Sequence, residues 1–130
     1  MRPVFLSASL LVLAAGLAGC NSTPPAPAAV ASRAALPTME RVARGANDCW
    51  FKSGDKAFAP YRMALELNSF SGKPRILLVK KHSPETRPLL VVQAEGNPAR
   101  LDAFGPMMSD AHSGRISSDV TRWANGASGC

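Results

Sequence analysis

The chain has 130 residues, which is enough for one small domain after a targeting segment and excludes an array of several domains. Fifteen lysines and arginines against nine aspartates and glutamates give a formal net charge of +6, without a polybasic block. This moderate excess suits contact with anionic surfaces, and it is also an ordinary charge for a soluble domain.

The first 20 residues carry the features of an export signal. Arg2 supplies a positive charge, and residues 4–18 form an apolar run broken only by two serines and one glycine. This run is shorter than the roughly 20 apolar residues of a membrane-spanning helix and has the length of a signal-peptide core. Residues 17–20 read Leu-Ala-Gly-Cys. This tetrapeptide resembles the lipobox of bacterial lipoproteins, in which Leu, a small residue, and Gly or Ala precede the cysteine.

The lipobox resemblance implies that residues 1–19 are removed as a signal peptide. It further implies that the Cys20 thiol is diacylated and that the new N-terminus is usually acylated too, which gives a stable membrane anchor. Asn21, and not Asp, follows this cysteine. By similarity to enterobacterial lipoproteins, this implies a place at the bacterial outer membrane, with the domain facing the periplasm or the surface. An ordinary secretory signal with an accidental cysteine is the alternative.

Residues 20–37 are predicted to be the lipidated cysteine and a tether. The segment is rich in proline, alanine and serine, shows no helical or strand period, and has too little apolar surface to offset the entropy of ordering. Residues 38–130 are then predicted to form one small periplasmic domain.

Cys49 and Cys130 are the cysteines that remain if Cys20 is acylated as the resemblance implies. An exported protein meets an oxidising compartment, so we expect these two to form one disulfide that closes nearly the whole domain. Two free thiols or a metal site are the alternatives, although no C-x-x-C motif or close Cys/His spacing supports a metal site.

The first predicted helix covers about residues 39–51. Thr38 can cap it after Pro37, and apolar residues recur at helical spacing up to Trp50, with Cys49 facing inward. Gly45 weakens the middle of this helix, and a second, shorter helix that starts at residues 47–48 is the alternative.

Four strands are predicted next. From Tyr61, Met63, Leu65 and Leu67 alternate with mostly polar residues, which indicates a strand with one buried face. Residues 76–79 and 89–92 are continuously apolar, as central strands are, and residues 100–104 form a weaker fourth strand. The short gaps between them permit hairpins and exclude parallel crossovers, so we expect an antiparallel meander.

A last helix is predicted to begin at Ser117 or Ser118 and to end before Gly126, while residues 105–116 give no clear pattern. The predicted fold class is therefore α+β: a four-stranded antiparallel meander sheet packed by an N-terminal and a C-terminal helix and closed by one disulfide.

No catalytic residue is assigned from the sequence. His112 lies beside Ser109, Asp110 and Ser113, but a catalytic triad is assembled from separated chain segments, and the chain has no G-x-S-x-G elbow. His82 falls in a polar loop, where a solvated turn residue is expected.

No metal or cofactor is assigned either. Met107 and Met108 with His112 resemble soft-metal ligands, but a methionine pair beside a sheet is typical of gap-filling in a core. The Ser-Gly-Lys sequence at residues 71–73 lacks the remaining glycines of a phosphate-binding loop.

One group of charges points to a ligand. Five cations lie at the ends of a single predicted hairpin, opposed only by Glu85, and can neutralise phosphate or carboxylate groups: Lys73, Arg75, Lys80, Lys81 and Arg87. The alternative is a solvated hairpin edge on which lysine discourages strand pairing.

Taken together, these patterns favour a non-catalytic envelope lipoprotein that acts as a binding or assembly accessory. A small envelope hydrolase and an inhibitor or ligand-binding module are the alternatives. The expected partners are the membrane, through the lipid anchor, and an anionic envelope polymer or an envelope protein. Nucleic acid is not expected, because the chain is exported and its single tyrosine and scattered phenylalanines form no stacking array.

Overall fold

The computed structural model describes residues 32–83 and 87–130. The predicted signal peptide, Cys20 and most of the predicted tether lie outside these residues, as does Glu85. The described chain forms a helix α1 (Ala35–Ala46), a π-helical segment (Asn47–Lys52), four strands β1 (Tyr61–Glu66), β2 (Arg75–Lys80), β3 (Leu90–Glu95) and β4 (Arg100–Phe104), a 3₁₀ turn (Pro106–Ser109) and a helix α2 (Ser113–Ala124).

The four strands form one antiparallel sheet in the order β1-β2-β3-β4. One face of the sheet packs against the helices and contributes fully buried side chains, among them Ile76, Leu78, Leu90 and Val92. The predicted α+β fold is therefore confirmed: an antiparallel meander with one helix before it and one helix after it in the sequence.

Helix α1 begins at Ala35, four residues before the predicted start, so the predicted cap at Thr38 is wrong. The N–H of Thr38 already donates to the carbonyl of Ala34 (3.1 Å), and the residue is buried inside the first turn. Pro37 is tolerated there because an N–H in the first turn has no helical partner to lose. The Ala35 N–H donates instead to the Gly96 carbonyl (3.0 Å), so a sheet turn takes over the role of the side-chain cap.

The chain stays helical beyond α1 but changes its hydrogen-bonding pattern to a π-helix over Asn47–Lys52. This segment keeps Cys49 and Trp50 buried, as the predicted inward face requires. Cys49 is joined to Cys130 with a Cα–Cα distance of 5.3 Å, so the predicted disulfide is confirmed and links this segment to the tail that follows α2.

Helix α2 begins at Ser113, so Ser117 and Ser118 are exposed residues inside it and not its caps. Asp110 organises the entry, because its carboxylate accepts the His112 N–H at 2.7 Å and its carbonyl accepts the Ser113 N–H at 3.2 Å. The helix ends before Gly126 as expected.

The predicted buried face of β1 is wrong at Leu65, which is 56% exposed, whereas Met63 and Leu67 are half-buried. Helix α1 packs over β2 and β3, and β1 is the edge of the sheet.

No helix in the described chain has both the length and the apolar content to cross a bilayer.

Candidate functional site

The five predicted anion-binding cations do not form one cluster, because β2 separates them. Lys73 and Arg75 lie at its start, near the β1–β2 turn, and Lys80 and Lys81 lie at its end with Arg87 in the following loop. At about 3.3 Å per residue, the two ends of β2 are roughly 16 Å apart.

The two cations at the start of β2 are already neutralised. The Lys73 ammonium lies 2.9 Å from Glu95, which also pairs with Arg100. The Arg75 guanidinium lies 2.5 Å from Glu66, its neighbour across the β1–β2 ladder. Carboxylates therefore occupy the positions that a bound anion would need at this end.

The three cations at the other end, here called the loop-end cluster, are Lys80, Lys81 and Arg87. All three are exposed, and no carboxylate in residues 32–83 or 87–130 forms an ion pair with them. The backbone beneath the lysines is fixed, because the Lys81 N–H donates to the Pro60 carbonyl at 2.9 Å. Protection of a sheet edge does not explain these lysines, since β2 is an internal strand.

An open groove with a mixed, more apolar than polar, lining begins beside the loop-end cluster. It lies between the π-helical segment and the edge strand β1, and its lining includes Phe51, Tyr61, Met63 and Leu65, with Lys81 at one end. The groove exists because α1 covers the central strands and leaves the helix-facing side of β1 partly open. The groove therefore places apolar side chains next to Lys81, and Asp55 and Arg62 also line it.

The residues around His112 do not assemble as a triad. The Asp110 carboxylate lies 3.0 Å from Nδ1 of His112, and its pKa is lowered chiefly by the hydrogen bond from the His112 backbone N–H. The imidazole packs edge-on against Phe58 at 6.1 Å between ring centroids. Within the described ranges neither Ser109 nor Ser113 places its hydroxyl in a hydrogen bond with the imidazole. The pair therefore works as part of the turn that leads into α2.

Sequence reasoning missed a polar network that joins the π-helical segment to α2. Asp119 in α2 is 9% exposed and accepts a hydrogen bond from the indole N–H of Trp50 at 2.9 Å. Arg122 and Arg115 flank the same carboxylate at 3.1 and 3.4 Å. The i,i+4 and i,i+3 spacing of these arginines about Asp119 was visible in the sequence, whereas the buried tryptophan partner was not.

Arg115 extends this network to the loop before β1. Its guanidinium lies 2.6 Å from the Asp55 carboxylate and over the ring of Phe58. The pKa of Asp55 is lowered chiefly by the hydrogen bond from the Ala57 backbone N–H. The hydrogen bond from the Arg115 side chain lowers it further. The acidic and basic side chains of this network pair with one another, and Asp55 also borders the groove between the π-helical segment and β1.

The methionine pair packs in and against the hydrophobic core. Met107 is 2% exposed and belongs to the core, and Met108 is half-buried against it. Nowhere in the described part of the chain do three histidine, cysteine, aspartate or glutamate side chains come close enough to hold a metal ion.

Neither a family model nor a curated protein nor a solved structure matches this chain.

Proposed function

We propose that this protein is a lipid-anchored, non-catalytic accessory of the bacterial envelope that binds an anionic envelope component. The observation that carries the proposal is the loop-end cluster of Lys80, Lys81 and Arg87, which is exposed and has no carboxylate partner in the described residues.

The position of the cluster suits phosphate or carboxylate groups. Lysine ammonium groups act as flexible point charges, and the arginine guanidinium can engage two oxygens of a phosphate or carboxylate at once. Because all three side chains are solvated, each contact contributes little alone, and the attraction depends on several contacts made together. Binding should therefore weaken as salt is added.

The anchor at Cys20 supports the proposal by confining the domain to the membrane surface. A protein held at a leaflet meets lipid headgroups and wall polymers at high effective concentration, so weak individual contacts become useful.

The binding site is tested by two matched double variants of the full chain. Lys80→Gln/Lys81→Gln removes two free cations, and Lys73→Gln/Arg75→Gln removes two that are already paired with Glu95 and Glu66. Titration with purified lipopolysaccharide, which offers phosphate, and with peptidoglycan fragments, which offer carboxylate, distinguishes the two sources. We expect a roughly tenfold loss of affinity in the first variant and little change in the second. Equal losses in both would show that only net charge matters and would refute the site.

The anchor is tested independently by the intact mass of the protein extracted from membranes. We expect the N-terminal peptide to begin at position 20 and to carry acyl chains on Cys20. An unmodified cysteine at that position would remove the anchor from the proposal while leaving the loop-end cluster to be judged by its own titration.

A further inference from the structure

Strand β1 is a free edge of the sheet, and its unpaired backbone groups can be assigned to particular residues. Tyr61 pairs with Lys80, so Pro60 lies opposite Lys81, and the Lys81 N–H donates to the Pro60 carbonyl. In an antiparallel ladder, residues alternate between those bonded to the neighbouring strand and those directed away from it. Arg62, Ala64 and Glu66 therefore bond to β2. The backbone N–H and C=O groups of Met63 and Leu65 point outward.

This edge lacks two features that commonly prevent strand pairing, proline and a β-bulge. Residues 61–66 contain no proline and no bulge, and Leu65 is a large apolar side chain that is 56% exposed. The opposite edge is different, because the chain that enters α1 covers the start of β4, where the Ala99 N–H donates to the Arg33 carbonyl at 2.7 Å. Of the two edges, β1 is the one that is open to pairing with another strand.

The sequence of β1 is complementary to itself in one antiparallel register. Outward-pointing residues must pair with outward-pointing residues, which allows two copies of β1 to meet about Met63, about Ala64 or about Leu65. The register about Ala64 sets Arg62 opposite the partner's Glu66, and symmetry repeats this pair. The other two registers place Arg62 opposite Ala64 or Asn68, so neither brings opposite charges together.

We propose that two copies of this chain associate through antiparallel pairing of their β1 strands centred on Ala64, giving a continuous eight-stranded sheet. Met63 and the partner's Leu65 exchange reciprocal backbone hydrogen bonds, and their side chains cover each other on the helix-facing side of the sheet. The small side chains of the two Ala64 residues meet on the opposite side at the symmetry axis. Flanking them, Arg62 pairs with the partner's Glu66 twice in the dimer.

Arg62 and one carboxylate oxygen of Glu66 are available to make these pairs. Arg62 is exposed, and no ion pair within residues 32–83 and 87–130 involves it. Both contacts of Arg75 with Glu66 use Oε2, which leaves Oε1 able to accept from a second cation. In a non-hydrogen-bonded antiparallel position the two side chains stand close together, so opposite charges there favour association and like charges oppose it.

The test uses co-capture of two differently tagged full-length copies that are expressed together and extracted from the membrane. Wild-type copies should capture each other. When both copies carry Arg62→Glu, or both carry Glu66→Arg, two like-charge pairs replace the attractive ones, and co-capture should fall about tenfold. A mixture of one Arg62→Glu copy with one Glu66→Arg copy restores both opposite-charge pairs and should recover co-capture.

Recovery in the mixed pair supports the proposal and shows that both variants are folded. Arg100→Glu, a charge reversal on the other edge strand β4, serves as the control and should leave co-capture unchanged. The proposal is overturned if wild-type copies capture each other no better than the like-charge pairs do, or if the mixed pair stays as low as they are. The second result would show that the losses in the like-charge pairs do not come from Arg62–Glu66 pairing in this register.

Discussion

At the scale of single residues, Gly45 has the clearest structural role. It lies in the last turn of α1 directly under the ring of Trp123 from α2, which is 1% exposed. A Cβ at this position would lie closer to the indole than the 3.0 Å that real Cβ atoms keep. The glycine that weakens the helix on propensity grounds therefore permits the close approach of the two helices.

We expect Gly45→Ala to lower the free energy of unfolding by roughly 1–2 kcal/mol. Displacing a fully packed tryptophan costs about 1–3 kcal/mol, and the gain in helix propensity returns up to about 1 kcal/mol. Urea unfolding followed by tryptophan fluorescence measures the change. Gly114→Ala in α2 is the matched control, because its added methyl meets no atom within 4 Å and should be neutral or slightly stabilising. Equal stability of the two variants would contradict the packing argument.

At the scale of elements, the strands were predictable and the helix starts were not. Short apolar runs bounded by glycine and proline define residues 76–79 and 89–92 locally, and β2 and β3 include most of them. The starts of α1 and α2 depend on partners outside the helices. Gly96 satisfies the first N–H of α1, and the Asp110 turn precedes α2, so the serines and threonine that fit a cap by sequence are not used.

The cationic residues of the candidate site could be predicted from the sequence, but which of them lie together without carboxylate partners could not. Lysines and arginines near residues 73–87 are visible in the sequence, but the carboxylates that neutralise two of them are set by strand register. Glu66 reaches Arg75 across the β1–β2 ladder, and Glu95 reaches Lys73 from β3. Leu65 illustrates the same limit, since alternation indicates which residues share a face but not whether a helix covers that part of the sheet.

At the scale of the whole molecule, the Cys49–Cys130 disulfide spans 81 residues and encloses all four strands and α2. In the chain-entropy account, closing a loop of this length restricts the unfolded chain by about 4–5 kcal/mol, less any strain in the folded state. That amount is comparable to the entire stability of many small domains. The core contacts, such as Trp50 with Asp119, do not involve the bond itself, so we expect its main effect to fall on the unfolded state.

We therefore expect Cys49→Ser/Cys130→Ser to lower the free energy of unfolding by roughly 3–4 kcal/mol. The variant should also show a steeper dependence of that free energy on urea concentration, because the unlinked chain exposes more surface when it unfolds. Urea titration of the oxidised wild type and of the variant measures both quantities. Wild-type protein kept reduced should reproduce the variant, which separates loss of the cross-link from the effect of the serines. In the folded protein the indole N–H of Trp123 donates to the Gly129 carbonyl of the C-terminal tail at 3.1 Å. A lower midpoint without a steeper urea dependence would mean that the bond acts by holding this tail in the folded protein, because the unfolded chain would then be no more compact with the bond than without it.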